Sequence, residues 1–142
     1  MIFPVTIDAK ATSEFRVFCK KHNVSIWLCT HAATEALRKT HSKGHPYENH
    51  AIPPMASHVE EGGKFVNRAD DFMVIHRYIQ HPTEWMYSHI HIRKVKEIDT
   101  GGRPSPIDSP IVLKSIVNNV GFKLGTDEAI NKTVLEQLNL PF

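Results

Sequence analysis

The stretch from Asp70 to Gly102 reads DDFMVIHRYIQHPTEWMYSHIHIRKVKEIDTGG. Two apolar runs, Phe72–Ile79 and His89–Val95, are separated by a polar, proline-containing turn, Gln80–Ser88. Both runs read as strands, and the rest of the chain is organised around them. The second run ends in Arg93, Lys94 and Lys96, then in the tight turn Asp99-Thr100-Gly101-Gly102. A strand that delivers cations to a sheet rim is a common way to hold a phosphate.

The 142 residues are enough for one domain, 1–142, with a hydrophobic core. The net charge is only +2, so the whole-molecule balance does not point to nucleic acid. Local charge is more informative: 38–50 and 93–103 are cationic, whereas 60–61 and 126–128 are acidic. Cys19 and Cys29 form no CxxC pair and sit in apolar runs, which predicts reduced core thiols. Met1-Ile2-Phe3-Pro4 does not open a secretory leader. No run approaches the ~18 apolar residues of a membrane span. A cytoplasmic protein with no membrane partner is expected.

Helical spacing predicts a first helix over 9–22. Phe15, Phe18 and Cys19 form its buried stripe, and Lys20, Lys21 and His22 lie at its end. Val24–Cys29 follows as a nearly unbroken apolar run, read as a strand over 24–30 in a buried, largely parallel sheet. Ala32–Leu37 suits a short helix. Arg38–Pro54 then carries cations, prolines and no periodicity, the pattern of a functional or mobile loop. A helix over 59–69 is weakened by Gly62-Gly63, at about 1 kcal/mol per glycine, which suggests close backbone approach there. Strands are expected at 71–78, 89–97 and 111–118. In the second of these Ile90, Ile92 and Val95 alternate, with a slip of phase near Arg93. A last helix over 126–138 would bury Ile130, Val134, Leu135 and Leu138.

Several residues carry possible chemistry. His31 closes the 24–30 run, at the carboxyl end where α/β sheets place ligands, and an imidazole there can contact a phosphate oxygen or a water. Capping of the strand is the alternative. Lys94 and Lys96 share one face of their strand and Arg93 takes the other; protection of an exposed edge competes with phosphate binding. His41, His45, His50 and His58, and the strand pair His89 and His91, raise a zinc site. Their spacing matches no closed zinc motif, so packed or solvated histidines are favoured. The phosphate-cradling pattern GxxxxGK[ST] occurs nowhere.

In order, these segments resemble the second half of the RecA-type motor domain of DnaB-like and Twinkle-like replicative DNA helicases, from about Phe15 to Phe122. FRVFCKKHNVSIWLCTHA resembles the helix and strand that end in the family's polar γ-phosphate sensor. That position is glutamine in bacterial DnaB proteins and histidine in Twinkle-like and some phage enzymes; here it is His31. HVEEGGKFVNRADDFMVIHR resembles the family's DLRESGAIEQDAD segment and the strand after it. Gly63, Ala69 and Asp70 keep that pattern, while His58 stands for aspartate and Glu60 for arginine. HIHIRKVKEIDTGG resembles the strand ending in K-x-R, whose cations reach the γ-phosphate of a neighbouring subunit; Lys94 and Lys96 hold those positions. A lysine lacks arginine's planar fork. PIVLKSIVNNVGF resembles the closing antiparallel strand.

The resemblance implies a partial RecA-like α/β core in three layers, with a mixed sheet of about four strands. Of these, 24–30 and 71–78 would be roughly parallel. It implies His31, Lys94 and Lys96 as catalytic groups and Gly63 and Asp70 at the cofactor. Arg38, Lys39 and Lys43 would form a single-stranded DNA loop making sequence-neutral, salt-sensitive phosphate contacts. ATP and Mg2+ belong to the complete motor and are not expected on this chain alone. The implied partners are an upstream P-loop half carrying Walker A and Walker B, single-stranded DNA, and further copies in a hexamer. The implied source is a phage-type primase-helicase. An unpaired sheet edge would favour self-association. A non-catalytic nucleic-acid-binding module using 38–50 and 93–103 is the alternative from another class.

Overall fold

The computed structural model describes residues 9–59, 63–116, 121–124 and 128–129. Helix α1 (Ala9–His22) falls where its periodicity placed it. Its burial differs from the expected stripe: Thr12 is buried, whereas Phe18 is 51% exposed. After α1, Asn23 takes a positive φ of 51°, and its neighbour Val24 closes the helix by donating its N–H to the Cys19 carbonyl.

The expected strand over 24–30 is not formed. The segment runs without regular structure, and Trp27 is 75% exposed, with Val24, Ile26 and Leu28 also open. An apolar run becomes a strand only when neighbours supply hydrogen bonds and cover its side chains. No neighbouring strand lies against it among the described residues. The expectation of two parallel strands therefore fails. Cys29 is exposed rather than a core thiol.

After the short helix α2 (Thr34–Leu37) and a 3₁₀ turn (Ala56–His58) comes α3 (Gly63–Arg68), inside the predicted 59–69. The sheet follows as β1 (Asp71–His76), β2 (Tyr87–Val95), β3 (Ile111–Ser115), β4 (Phe122–Leu124) and the two-residue β5 (Glu128–Ala129). They pair in sequence order, every neighbour antiparallel. This meander replaces the mixed sheet read from the sequence. Glu128 and Ala129 lie in a strand rather than in the helix expected over 126–138, and the rest of that helix lies outside the described residues.

The slip of phase near Arg93 has a structural counterpart. Phe72 pairs with Lys94 and Met73 with Ile92, so Arg93 is the extra residue of a β-bulge. The bulge resets the pleat. Ile90, Ile92 and Val95 stay on one face, opposite Ile75, Met73 and Asp71. His89, His91 and Lys94 share the other, opposite His76, Val74 and Phe72. Short α4 (Ile98–Gly101) then turns the chain. A Cβ on Gly101 would come within 2.8 Å of Val95 Cγ1, so this close approach needs glycine.

The core is small. Val59, Val66, Val74 and Tyr78 are buried, joined by His89 and His91. Loop 39–52 covers one end of the face carrying Val74, His89 and His91, and α3 meets Lys94 at its other end. On the opposite face Ile75 is 68% exposed.

Candidate functional site

Several of the residues singled out above border α3. Lys94 Nζ donates to the carbonyls of Val66 (2.6 Å), Asn67 (3.2 Å) and Ala69 (2.7 Å). The last carbonyls of a helix have no partner within it, and a cation suits that end. An ammonium has three donors, and here all three are engaged. In this structure Lys94 clamps the end of α3 to the sheet.

Lys96 lies close by. Its Nζ is 3.1 Å from Asp70 Oδ1, and Arg16 Nη2 is 3.2 Å from the same oxygen. All three side chains are about half exposed, so water and salt screen the attraction. An incoming anion can compete for Lys96 far more readily than for Lys94. Gly63 is the first residue of α3. His31 is exposed on the adjacent segment. Ala32 bridges to Val59, and the Ala33 N–H donates to the His58 carbonyl at 2.7 Å, which docks that segment beside the 3₁₀ turn that contacts α3. Lys96 is thus paired with Asp70, and Lys94 is bound to the C-terminal end of α3, whereas Gly63 stands at the opposite end of that helix and His31 lies on a segment docked against the 3₁₀ turn and Val59. No hydrogen bond joins His31 to either lysine.

The basic loop is ordered. Bridges Thr40–Ala51 and His41–Glu48 fold it back on itself. His41 N–H donates to the His50 carbonyl and Ile52 N–H to that of Lys39, both at 2.9 Å. At the tip Gly44 has φ +87°, which favours glycine, and its N–H donates to Glu48 Oε2 at 2.8 Å. Arg38, Lys39 and Lys43 are exposed along this loop.

What pins the loop is a set of rings that sequence reasoning left as separate histidines. Tyr47 stacks on Tyr78 at 3.9 Å and 6°, and His41 stacks on His45 at 3.9 Å. His41 Nε2 lies 3.0 Å from the Tyr78 hydroxyl. His89 meets the edges of both tyrosines, His76 meets Tyr78, and His50 meets His81. With His91 beside His89, seven of the ten histidines belong to this cluster. His81 also caps its own turn, Nδ1 accepting from the Glu84 N–H at 3.2 Å. The signal in the sequence was the recurrence of histidine at 76, 89 and 91, but their juxtaposition depends on a register that spacing alone does not give.

Burial dominates the electrostatics of this cluster. It pushes Tyr78 up to about 12, with Tyr47 adding to the shift, so the phenol that shares a hydrogen bond with His41 Nε2 stays protonated. Burial, then His45, lowers His41. Burial lowers His76 and His91 to about 4. The backbone of Ala51 offsets part of this at His76, and that of Ile107 part of it at His91. His89 is also lowered by burial, against the opposing pull of Glu84. Nε2 of His76, Nε2 of His89 and both ring nitrogens of His91 make no hydrogen bond within geometric limits.

Among the described residues, no group of three or more His, Cys, Asp or Glu side chains is disposed to hold a metal ion, and no helix is long and apolar enough to cross a membrane. Comparison of the chain with known protein families, with curated proteins and with solved structures finds none that matches.

Proposed function

We propose that this chain supplies the C-terminal part of a replicative DNA helicase motor of the DnaB-like and Twinkle-like kind. In that role His31 senses the γ-phosphate and Lys96 reaches a nucleotide held by a neighbouring subunit. Lys94 fixes α3 and the end of β2 beside it. Arg38, Lys39 and Lys43 contact single-stranded DNA, while ATP and Mg2+ are bound by a P-loop half that these 142 residues do not include.

The observation that carries the reading is the open Val24–Cys29 run. Trp27 is 75% exposed in a segment that leads directly to His31. Exposed apolar area costs roughly 25 cal/mol per Å² relative to burial, so such a run favours a partner. Strands of a P-loop half would pair with it and bring His31 to the nucleotide. A free-standing nucleic-acid module leaves the run unexplained.

The test is ATP hydrolysis. Joined to a DnaB-type P-loop half, the chain should support DNA-stimulated hydrolysis that His31→Ala abolishes. Without that half it should hydrolyse nothing. If no hydrolysis follows from the joined protein, and the chain alone binds single-stranded DNA through Lys39 and Lys43, the non-catalytic module is the better reading.

A further inference from the structure

The loop that carries Lys39 and Lys43 is held down almost wholly by stacked tyrosine and histidine rings. Its own contributions are His41, His45, Tyr47 and His50. They pack on Tyr78 and His89, with His76 against Tyr78, His91 next to His89 on the same strand at 6.4 Å, and His81 at the side. His89 and His91 are 4% and 3% exposed. Nε2 of His89 and both ring nitrogens of His91 make no hydrogen bond within geometric limits, so a proton gained there meets no acceptor in place.

We infer that loop 39–52 is an acid-released latch: protonation of the histidines beside and within it frees the loop from the β1–β2 face.

Other charged groups near the cluster have been weighed. Glu84 faces His89 and Tyr47, and Asp108 faces His41 and Arg93; each favours the protonated histidine but only offsets part of the burial. Glu48 is tied to the Gly44 N–H. Arg93 adds positive charge beside His91 and opposes its protonation. A proton added to His41 meets His45 stacked at 3.9 Å, and one added to His91 meets His89 and Arg93. Opening relieves these repulsions by letting water reach the rings. The directions agree: His41, His76, His89 and His91 all sit below the ordinary histidine value. What the freed loop then does with DNA rests on the function proposed above; the release itself does not.

Hydrogen exchange on the intact chain, without nucleic acid, tests it. Rates are corrected for the intrinsic effect of pH and followed from pH 7.5 to 4.5. Protection of the His41 and Ile52 amides should fall about tenfold more than that of the β1–β2 ladder, as expected when opening takes up protons. In His45→Gln the release should move to lower pH, because a repelling neighbour is gone. Loop protection that stays constant, loop and ladder lost together, or a His45→Gln profile that does not move down would each overturn the latch. None of these outcomes touches the helicase reading, and loss of DNA binding or hydrolysis would not touch the latch.

Discussion

Lys94 and Lys96 are two residues apart and carry the same charge, yet the structure gives them different work. Lys94 spends its donors on three carbonyls at the end of α3, whereas Lys96 shares a half-exposed carboxylate with Arg16. Lys94→Met keeps the stem and removes the charge, so it should cost about 2 kcal/mol, in the range of hydrogen bonds to charged groups. Lys96→Ala should cost less than about 1 kcal/mol. Urea denaturation of both variants checks the ranking, and equal losses would contradict it. Tyr78→Phe removes the hydroxyl that bonds His41 and should lower stability by about 1 kcal/mol in the same assay. None of this division was legible in the sequence: strand parity placed both lysines on one face, but which carbonyls or carboxylates they meet depends on where α3 lands.

At the scale of elements, local patterns were read correctly where local physics decides them. The 9–22 helix and the β1, β2 and β3 strands follow periodicity, and the slip at Arg93 marked a real bulge. The 24–30 run was misread because its strand state depends on neighbours rather than on its own residues. Trp27→Lys should therefore leave stability within about 0.5 kcal/mol while reducing self-association measured by light scattering. Unchanged association, or a large loss of stability, would count against an open apolar run. The histidine cluster gives an acid dependence with a definite sign. His76 and His91 fold with values near 4, below the 6.5 expected when unfolded. The unfolded chain then binds more protons between those values. Stability is held above pH 6.5 and lost as the pH falls towards 4. Thermal melts across that range should show the decline.

For the whole molecule, the balance is one of cover. A five-stranded antiparallel meander has one face partly covered by loop 39–52 and α3, while Ile75 on the other face and Trp27 outside the sheet remain open. Open apolar surface of this kind is where partners commonly bind. The sequence predicts a mixed, RecA-like sheet; the described strands pair antiparallel throughout, an arrangement not typical of such a core, because no described strand lies beside the 24–30 run. Sedimentation velocity of the chain mixed with a DnaB-type P-loop half addresses this directly. With a non-hydrolysable ATP analogue the two should sediment together as a hexamer-sized species, and without nucleotide they should not. If the chain sediments alone under both conditions, the account of it as half of a motor is contradicted.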